Sequence, residues 1–175
     1  MDAIRYIADI LSWLLLLAFV LRLMLQLVRA DFRDPLANPV VRVTNWLVLP
    51  LRRVLPPAGR IDTATVVWVL LISLGRTALL LLLAGYGTLP WLAGLRLTLT
   101  DLVTLVLKIY LFGLIVYWLI GFIAPAGSSP GSRLLSQLCE PVLRPVRRLV
   151  PPIGQIDFSP LWVCILISAA LLLVR

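Results

Sequence analysis

The chain has 175 residues, of which 61% are hydrophobic, and its mean hydropathy is +1.04. Soluble domains use roughly 45 to 50% apolar residues, so a single water-soluble core of this size cannot bury the excess. Only 14% of the residues are charged, 16 basic against 8 acidic. This composition excludes a soluble globule and predicts an integral membrane protein.

The residue types present also exclude several kinds of catalytic site. Histidine is absent, which removes Ser-His-Asp catalysis, His-ligated haem and most zinc sites. The two cysteines, Cys139 and Cys164, lack metal-site spacing, and we interpret both as small hydrophobic residues. No nucleophile with a base and no phosphate-binding loop is present. The sequence predicts a non-enzymatic protein that needs no cofactor.

Four apolar stretches approach or exceed the roughly 20 residues that a helix needs to cross a bilayer. They cover residues 7–28, 63–84, 102–124 and 158–174, and the last is short by a few residues. None shows the alternation of a membrane strand, so each is predicted to be a helix. The predicted fold class is therefore an all-α membrane protein with four transmembrane helices.

One motif occurs twice, 95 positions apart. Residues 50–62 and 145–157 are identical at most positions and share an arginine pair, a proline pair, a glycine and a final aspartate. Such self-similarity indicates a tandem duplication, and because each copy lies between two spans, the halves are predicted to be parallel repeats. The turn-forming segment 85–90 separates them. We predict one integrated membrane domain with repeats at 1–90 and 91–175.

Each connector between two spans is predicted to be an amphipathic helix in the headgroup plane, with a basic face opposite an apolar face. Trp46 lies near the boundary in the first copy, and Pro50 and Pro145 are expected to kink each helix or split it in two. The residues predicted to bind lipid or a partner are Arg42, Arg52, Arg53, Arg60, Arg144, Arg147 and Arg148.

The end of each connector carries turn residues followed by an aspartate. The prolines prevent a further helical turn, and the glycine lets the chain change direction. The predicted turn residues are Pro56, Pro57, Gly59, Pro151, Pro152 and Gly154. Asp62 and Asp157 are placed either to cap the next helix by accepting backbone hydrogen bonds or to form an ion pair with a nearby arginine. A ligand site is a further alternative.

The basic residues predict the orientation. Ten of the 16 lie in the two motif connectors, whereas only Arg5, Arg96 and Arg175 lie on the opposite side. Under the positive-inside rule the connectors are cytoplasmic, and both termini and the central turn lie outside.

Four charged residues are candidates for an intramembrane polar cluster: Asp9, Arg22, Arg76 and Lys108. An ionised group in the bilayer centre costs about 2.5 to 3.5 kcal/mol. Arg22 is near the inner boundary and can snorkel, whereas Arg76 and Lys108 lie roughly 10 Å from the outer boundary. We hypothesise that Arg76, Lys108 and Asp9 meet between the halves; the alternative is simple snorkelling of both cations.

The first connector and the doubled motif together resemble a known family. Residues 21–39, which include Leu25-Gln26-Leu27-Val28-Arg29-Ala30-Asp31-Phe32-Arg33, and the two arginine and proline pairs are similar to the YggT family of bacterial inner-membrane proteins. The second copy lacks this entry segment, so no role of Arg29, Asp31 or Arg33 transfers to it. The resemblance implies a multi-pass inner-membrane protein linked to osmotic-stress tolerance and ion homeostasis. It also implies relatives tied to cytochrome cofactor attachment, division and nucleoid organisation.

Two functions follow as alternatives. The first is a scaffold or an assembly or regulatory factor whose basic connectors bind anionic lipid or a cytoplasmic partner; the competing interpretation is that these arginines only set topology. The second is a small oligomeric transporter or channel component that supports ion or solute uptake under osmotic stress. The expected partners are membrane lipids, preferentially anionic, with a membrane-protein partner or a homo-oligomer left open. Direct binding to nucleic acid is not expected.

Overall fold

The computed structural model describes residues 2–30, 32, 34–57, 61–85, 91–123, 130–149 and 157–174. The regular elements in this part of the chain are helices, as the sequence predicts. They are α1 (Asp2–Leu27), α2 (Ala37–Arg52), α3 (Thr63–Leu83), α4 (Trp91–Ile123), α5 (Pro130–Leu149) and α6 (Ser159–Val174).

Three of these helices, α1, α3 and α4, are long and apolar enough to cross a membrane. The helix α6 is equally apolar but has 16 residues. At 1.5 Å per residue it extends about 24 Å, less than the ~30 Å of a typical hydrocarbon core. A four-span arrangement therefore stays a prediction, which requires local thinning of the bilayer around α6.

The helix that contains the third predicted span, residues 102–124, starts before that span, because α4 already begins at Trp91. The prediction followed hydropathy and stopped at the polar residues before Leu102, but helix formation does not require apolar residues. Thr98 is buried, and its hydroxyl lies within hydrogen-bonding distance of two acceptors, the Gly94 carbonyl oxygen at 2.9 Å and Thr77 Oγ1 of α3 at 3.0 Å. The helix therefore satisfies its polar side chains and continues beyond the apolar stretch. The first helix likewise begins earlier than predicted, at Asp2.

The same sets of neighbours pack in both halves. In the first half α1, α2 and α3 contact one another, and in the second half α4, α5 and α6 do the same. The halves meet where α4 contacts α1 and α3, and Leu134 and Leu138 of α5 also pack against residues of the first half. The largest cluster of buried apolar residues draws on five helices and includes Phe19, Val48, Val69, Leu105 and Leu138. A second cluster, within the second half, contains Leu114, Cys139, Leu143, Val163 and Ile167.

Both connector helices run through their prolines without a break. Pro50 lies in α2, and Pro141 and Pro145 lie in α5. Of the two predicted alternatives, a kink or a split into two shorter helices, the structure excludes the split. Each proline removes one backbone donor, and burial of the flanking face holds the helix together: Val48 and Leu143 are fully buried.

The chain leaves α1 through a tight turn that directs it into the first connector. Arg29 has a φ of 57°, its N–H donates to the Gln26 carbonyl oxygen at 3.1 Å, and the Ala30 N–H donates to that of Leu25 at 2.9 Å. This is the Schellman pattern of helix termination, which usually carries glycine at the left-handed position. Leu25 and Ala30 are buried with Ala37 of α2, so the turn also fixes the start of α2.

Candidate functional site

In the first half, an ion pair joins the end of α2 to the start of α3. Arg52 Nη2 lies 2.6 Å from Asp62 Oδ2, and Arg52 Nε donates to the same oxygen at 3.1 Å. The Thr65 hydroxyl donates to it at 2.8 Å and Gln26 Nε2 at 3.4 Å. Only 4% of the Asp62 side chain is exposed. The carboxylate thus collects donors from three helices at the point where the connector turns into α3.

In the second half, the residues 95 positions later form the corresponding ion pair. Arg147 Nε donates to Asp157 Oδ2 at 2.8 Å, while Arg147 Nη1 contacts Glu140 Oε2 at 2.9 Å and Nη2 donates to the Tyr117 hydroxyl at 3.2 Å. Asp157 is more exposed than its counterpart, at 32% of its side chain. The repeated arginine and aspartate of the motif therefore have one local role in both copies, which is to tie each connector helix to the helix that follows.

Of the roles left open for the two aspartates, the ion pair is present in both copies. Asp62 stands at the N-cap position of α3 but makes no capping hydrogen bond. Asp157 combines both functions, because its Oδ1 also accepts a hydrogen bond from the Ser159 backbone N–H at 2.9 Å. The surroundings also differ: the Thr65 hydroxyl and the amide of Gln26 donate to Asp62 Oδ2, and the second copy has Pro160 and Gly121 at those positions. Asp62 Oδ1 has no hydrogen-bond partner among the described residues.

Arg22, which the sequence grouped with Asp9 and Arg76, lies apart from those two residues and contacts the first connector helix instead. Its side chain is 3% exposed and points at α2, where Nη1 donates to Thr44 Oγ1 at 2.7 Å and to Asn45 Oδ1 at 2.8 Å. The positions of Arg22 and Asn45 correspond to Tyr117 and Glu140 in the second half. Both halves therefore use the same two positions to complete the polar contacts between their first helix and their connector.

The two junctions differ in charge. In the first, two arginines, Arg22 and Arg52, accompany one carboxylate; in the second, one arginine accompanies two carboxylates, Glu140 and Asp157. Burial alone would raise the pKa of Asp62, but the hydrogen bonds from Arg52 and Thr65 and the charge of Arg52 hold that pKa below its ordinary value. Burial likewise acts to raise the pKa of Asp157, and hydrogen bonds from Ser159 and Arg147 lower it below its ordinary value. Both aspartates are thus ionised at neutral pH.

The arginine pair of each motif divides into one inward and one outward residue, contrary to the prediction of a single basic face. Arg52 and Arg147 turn inward to the aspartates, whereas the next residues, Arg53 and Arg148, are exposed and form no ion pair with a described residue. Successive residues on a helix are about 100° apart, which accounts for the division. Arg42 and Arg144 are exposed on the same helices, as is Trp46 at 68%. Arg133 is exposed as well.

A third polar cluster lies away from the connectors, where α1, α3 and α4 approach one another. Arg76 Nη2 lies 2.6 Å from Asp9 Oδ1, and Arg76 Nη1 lies 2.7 Å from Asp101 Oδ2. These residues and Lys108 line a cavity of about 340 Å³. The cavity thus brings Arg76, Lys108 and Asp9 together and adds Asp101 as a second carboxylate partner. When the two halves are aligned at their offset of 95 positions, Trp13 is the residue that corresponds to Lys108. Both side chains line this cavity.

Several residues of these clusters were not singled out from the sequence. Glu140 and Tyr117 were not predicted to pair with Arg147, although aligning the two halves places them on Asn45 and Arg22. The predicted turn residues Pro56 and Pro57 are exposed and lie after the end of α2. The predicted residues Gly59, Arg60, Pro151, Pro152 and Gly154 lie outside the described residues.

Comparison with known proteins gives a consistent result over both halves. The sequence model of the CCB3/YggT family matches residues 1–83 and again residues 97–175. The chain is 40% identical over 158 residues to an uncharacterised protein, PA0392, of Pseudomonas aeruginosa, covering 90% of this chain and 80% of that protein. It is 32% identical over 167 residues to the uncharacterised protein YggT of Escherichia coli K12, covering 95% and 86%. No solved structure matches the chain.

Proposed function

Because the chain belongs to the CCB3/YggT family and carries three helices long enough to span a membrane, we propose that it is a non-enzymatic membrane scaffold linked to osmotic-stress tolerance. In this proposal the helices of each half hold a connector helix, α2 or α5, at the surface of an anionic membrane. The proposal rests on one observation: Arg53 and Arg148 are both exposed. They occupy equivalent positions in the two halves and have no ion-pair partner among the described residues.

The ion pairs support this proposal by separating two tasks within each motif. Arg52 and Arg147 are used inside the protein, where they tie the connector to the next helix. Their neighbours Arg53 and Arg148 are available to phosphate groups of lipids, with Arg42 and Arg144 beside them on the same helices. Each such arginine near an anionic surface contributes about 1 kcal/mol. Exposed apolar residues of α2, including Val43, Trp46 and Leu49, suit the acyl region below the headgroups.

The test compares lipid selectivity of the reconstituted protein with that of a charge-reversed variant. Spin-labelled phosphatidylglycerol and phosphatidylcholine report the relative association constants of an anionic and a zwitterionic lipid. Arg53→Glu with Arg148→Glu is expected to lower the preference for phosphatidylglycerol by about thirtyfold or more, since two arginine contacts are lost. The matched control is Arg5→Glu with Arg96→Glu, which makes the same change of charge on exposed residues outside the connectors.

An unchanged preference in the folded, inserted variant would refute lipid binding by the connectors and would leave these arginines with a topological role alone. A variant that keeps lipid selectivity but no longer restores growth of a deletion strain at high osmolarity would point to a cytoplasmic protein partner. The orientation is tested separately with reporter fusions after residues 53 and 175. The proposal places residue 53 in the cytoplasm and residue 175 outside.

A transporter or channel component is the second candidate, and the cavity around Arg76 and Lys108 is the observation that favours it. The cavity contains charged groups that an ion or polar solute could contact. However, Arg76 is already paired with Asp9 and Asp101, so a passing ion would have to break those contacts. Ion flux through purified protein in liposomes, abolished by Lys108→Leu, would favour this candidate over the scaffold.

A further inference from the structure

Two cavities of opposite character adjoin between α1 and α4. The first is the polar cavity of about 340 Å³ that contains Arg76 and its two carboxylate partners. The second is an apolar groove of about 530 Å³ whose walls come from α1, α4, α5 and the start of α2. Trp13, Leu105 and Lys108 line both. A single ligand with a polar end and an apolar end could therefore occupy the two cavities together.

Lys108 lies at the boundary between the cavities, and among the described residues that line the groove it is the charged one. Lys108 is an exposed residue, and its ammonium group forms no ion pair with a described residue. The carboxylates that share the polar cavity are occupied by Arg76, each through one oxygen: Asp9 through Oδ1 and Asp101 through Oδ2. Lys108 is thus positioned to bind an anionic group of a ligand.

The carboxylates of Asp9 and Asp101 can accept further hydrogen bonds. Asp9 and Asp101 are 45% and 51% exposed, and a carboxylate has about four lone-pair sites, of which the Arg76 contacts use one on each residue. The polar cavity therefore offers an unpaired cation near carboxylate oxygens that can still accept hydrogen bonds. This pattern complements a head group that carries a negative and a positive charge, the positive one with N–H donors.

The groove has the dimensions of an acyl chain. Its lining on α1 runs from Trp13 through Leu17 and Leu21 to Leu25, which is about 18 Å at the helical rise of 1.5 Å per residue. The hydrocarbon of one bilayer leaflet is about 15 Å thick. Phe112 and Leu36 on the rim are 72% and 56% exposed. An acyl chain lying along α1 would cover this apolar surface.

We propose that the two cavities bind one phospholipid with a primary-amine head group, of the phosphatidylethanolamine type. The phosphate contacts the Lys108 ammonium, the head-group ammonium donates to Asp9 and Asp101, and one acyl chain lies in the groove. An anionic lipid without the amine, such as phosphatidylglycerol, would bring hydroxyl donors but no positive charge to the two carboxylates. A choline head group has no N–H to donate. This site is separate from the connector arginines, because Arg53 and Arg148 line neither cavity.

The experiment measures quenching of tryptophan fluorescence in the full chain in detergent micelles by phospholipids with brominated acyl chains. Trp13 lines the groove, so Trp13→Phe identifies its share of the signal. Lys108→Leu is expected to weaken binding of brominated phosphatidylethanolamine by about tenfold or more, since a charge-assisted contact is lost. Lys108→Arg is expected to bind within about twofold of the wild type, because it keeps the charge. Arg96→Leu, an exposed residue of the same helix, is the matched control.

The head-group claim is tested with the same lipids. Wild-type protein is expected to bind phosphatidylethanolamine at least about fivefold tighter than phosphatidylglycerol or phosphatidylcholine, the effect of one partly exposed ion pair. Equal binding of the three lipids would overturn the assigned head group. Wild-type affinity in Lys108→Leu, or undiminished quenching in Trp13→Phe, would overturn the site itself. Thermal melting of each variant establishes that it is folded. The variant Arg53→Glu with Arg148→Glu is expected to bind phosphatidylethanolamine at the two cavities as the wild type does, so failure of lipid binding by the connectors would not affect this test.

Discussion

Replacing Asp62 by asparagine is expected to destabilise the protein more than the same replacement of Asp157. Asp62→Asn removes the charge that pairs with Arg52. With its amide oxygen facing the donors, asparagine also leaves a buried NH2 group at the position of Oδ1, which has no partner among the described residues. Removing one partner of a buried ion pair costs about 3 to 5 kcal/mol. Arg52 is 38% exposed and regains solvation, so the expected loss is about 2 to 3 kcal/mol.

The second copy supplies the matched comparison. Asp157 has the same motif and the same arginine partner, but 32% of its side chain is exposed, against 4% for Asp62. Asp157→Asn is therefore expected to cost about 1 kcal/mol, because solvent screens the pair. The free energy of unfolding is measured in mixed micelles by titration with dodecyl sulfate, followed by circular dichroism.

A double-mutant cycle isolates the pair itself. Arg52→Gln is measured alone and together with Asp62→Asn, and the coupling energy is expected to be about 1 to 2 kcal/mol. Equal losses for Asp62→Asn and Asp157→Asn, or a coupling energy near zero, would refute the claim that burial of the motif aspartate makes this ion pair stabilising.

Three further predictions concern separate features of the chain. The pKa of Asp62 and that of Asp157 lie below the ordinary 3.8, so the unfolded chain takes up protons first as the pH falls. The contribution of the two carboxylates to the free energy of unfolding should therefore be constant above about pH 5 and decline below about pH 4. Asp62→Asn with Asp157→Asn should reduce this decline when the free energy of unfolding is measured against pH. Burial, with a smaller contribution from Cys164, raises the pKa of the Cys139 thiol to about 12. In a Cys164→Ala background the effect of burial remains, so maleimide at pH 8 should label the folded protein at least roughly a hundredfold more slowly than the unfolded chain, and equal rates would contradict the burial. Arg29 adopts a left-handed backbone with a φ of 57°; Arg29→Gly should raise the free energy of unfolding by about 0.5 to 1 kcal/mol, whereas Arg29→Ala, which removes the same charge, should not.

The helices were predictable because their signal is local. Apolar stretches of about 20 residues specify membrane helices irrespective of neighbours, and α3 begins at Thr63 as predicted. The start of α4 was missed for the same reason: hydropathy reports which part of a helix suits lipid, and α4 continues from Trp91 through Thr98 and Asp101. Internal contacts satisfy those polar side chains, and a hydropathy pattern contains no record of such contacts.

The polar clusters were only partly predictable. The motif indicated that Asp62 and Asp157 had one task in both copies, and the sequence left capping and ion pairing open. Which role applies depends on side chains brought together from three helices, such as Thr65 and Gln26 around Asp62. Arg22 was grouped with Arg76 because both are charged residues in apolar stretches, but packing against α2 gives Arg22 a different set of partners.

The chain by itself determined the membrane class, the duplicated organisation and the family, because each is written in composition or in order along the sequence. Tertiary structure alone decided which arginine of each pair faces the protein: Arg52 and Arg53 are adjacent and chemically identical, yet the position of Asp62 turns one inward and leaves the other exposed. It also decided that Arg76 meets Asp9, 67 positions away. Contacts at that separation depend on how helices pack, and no local pattern of residues encodes them.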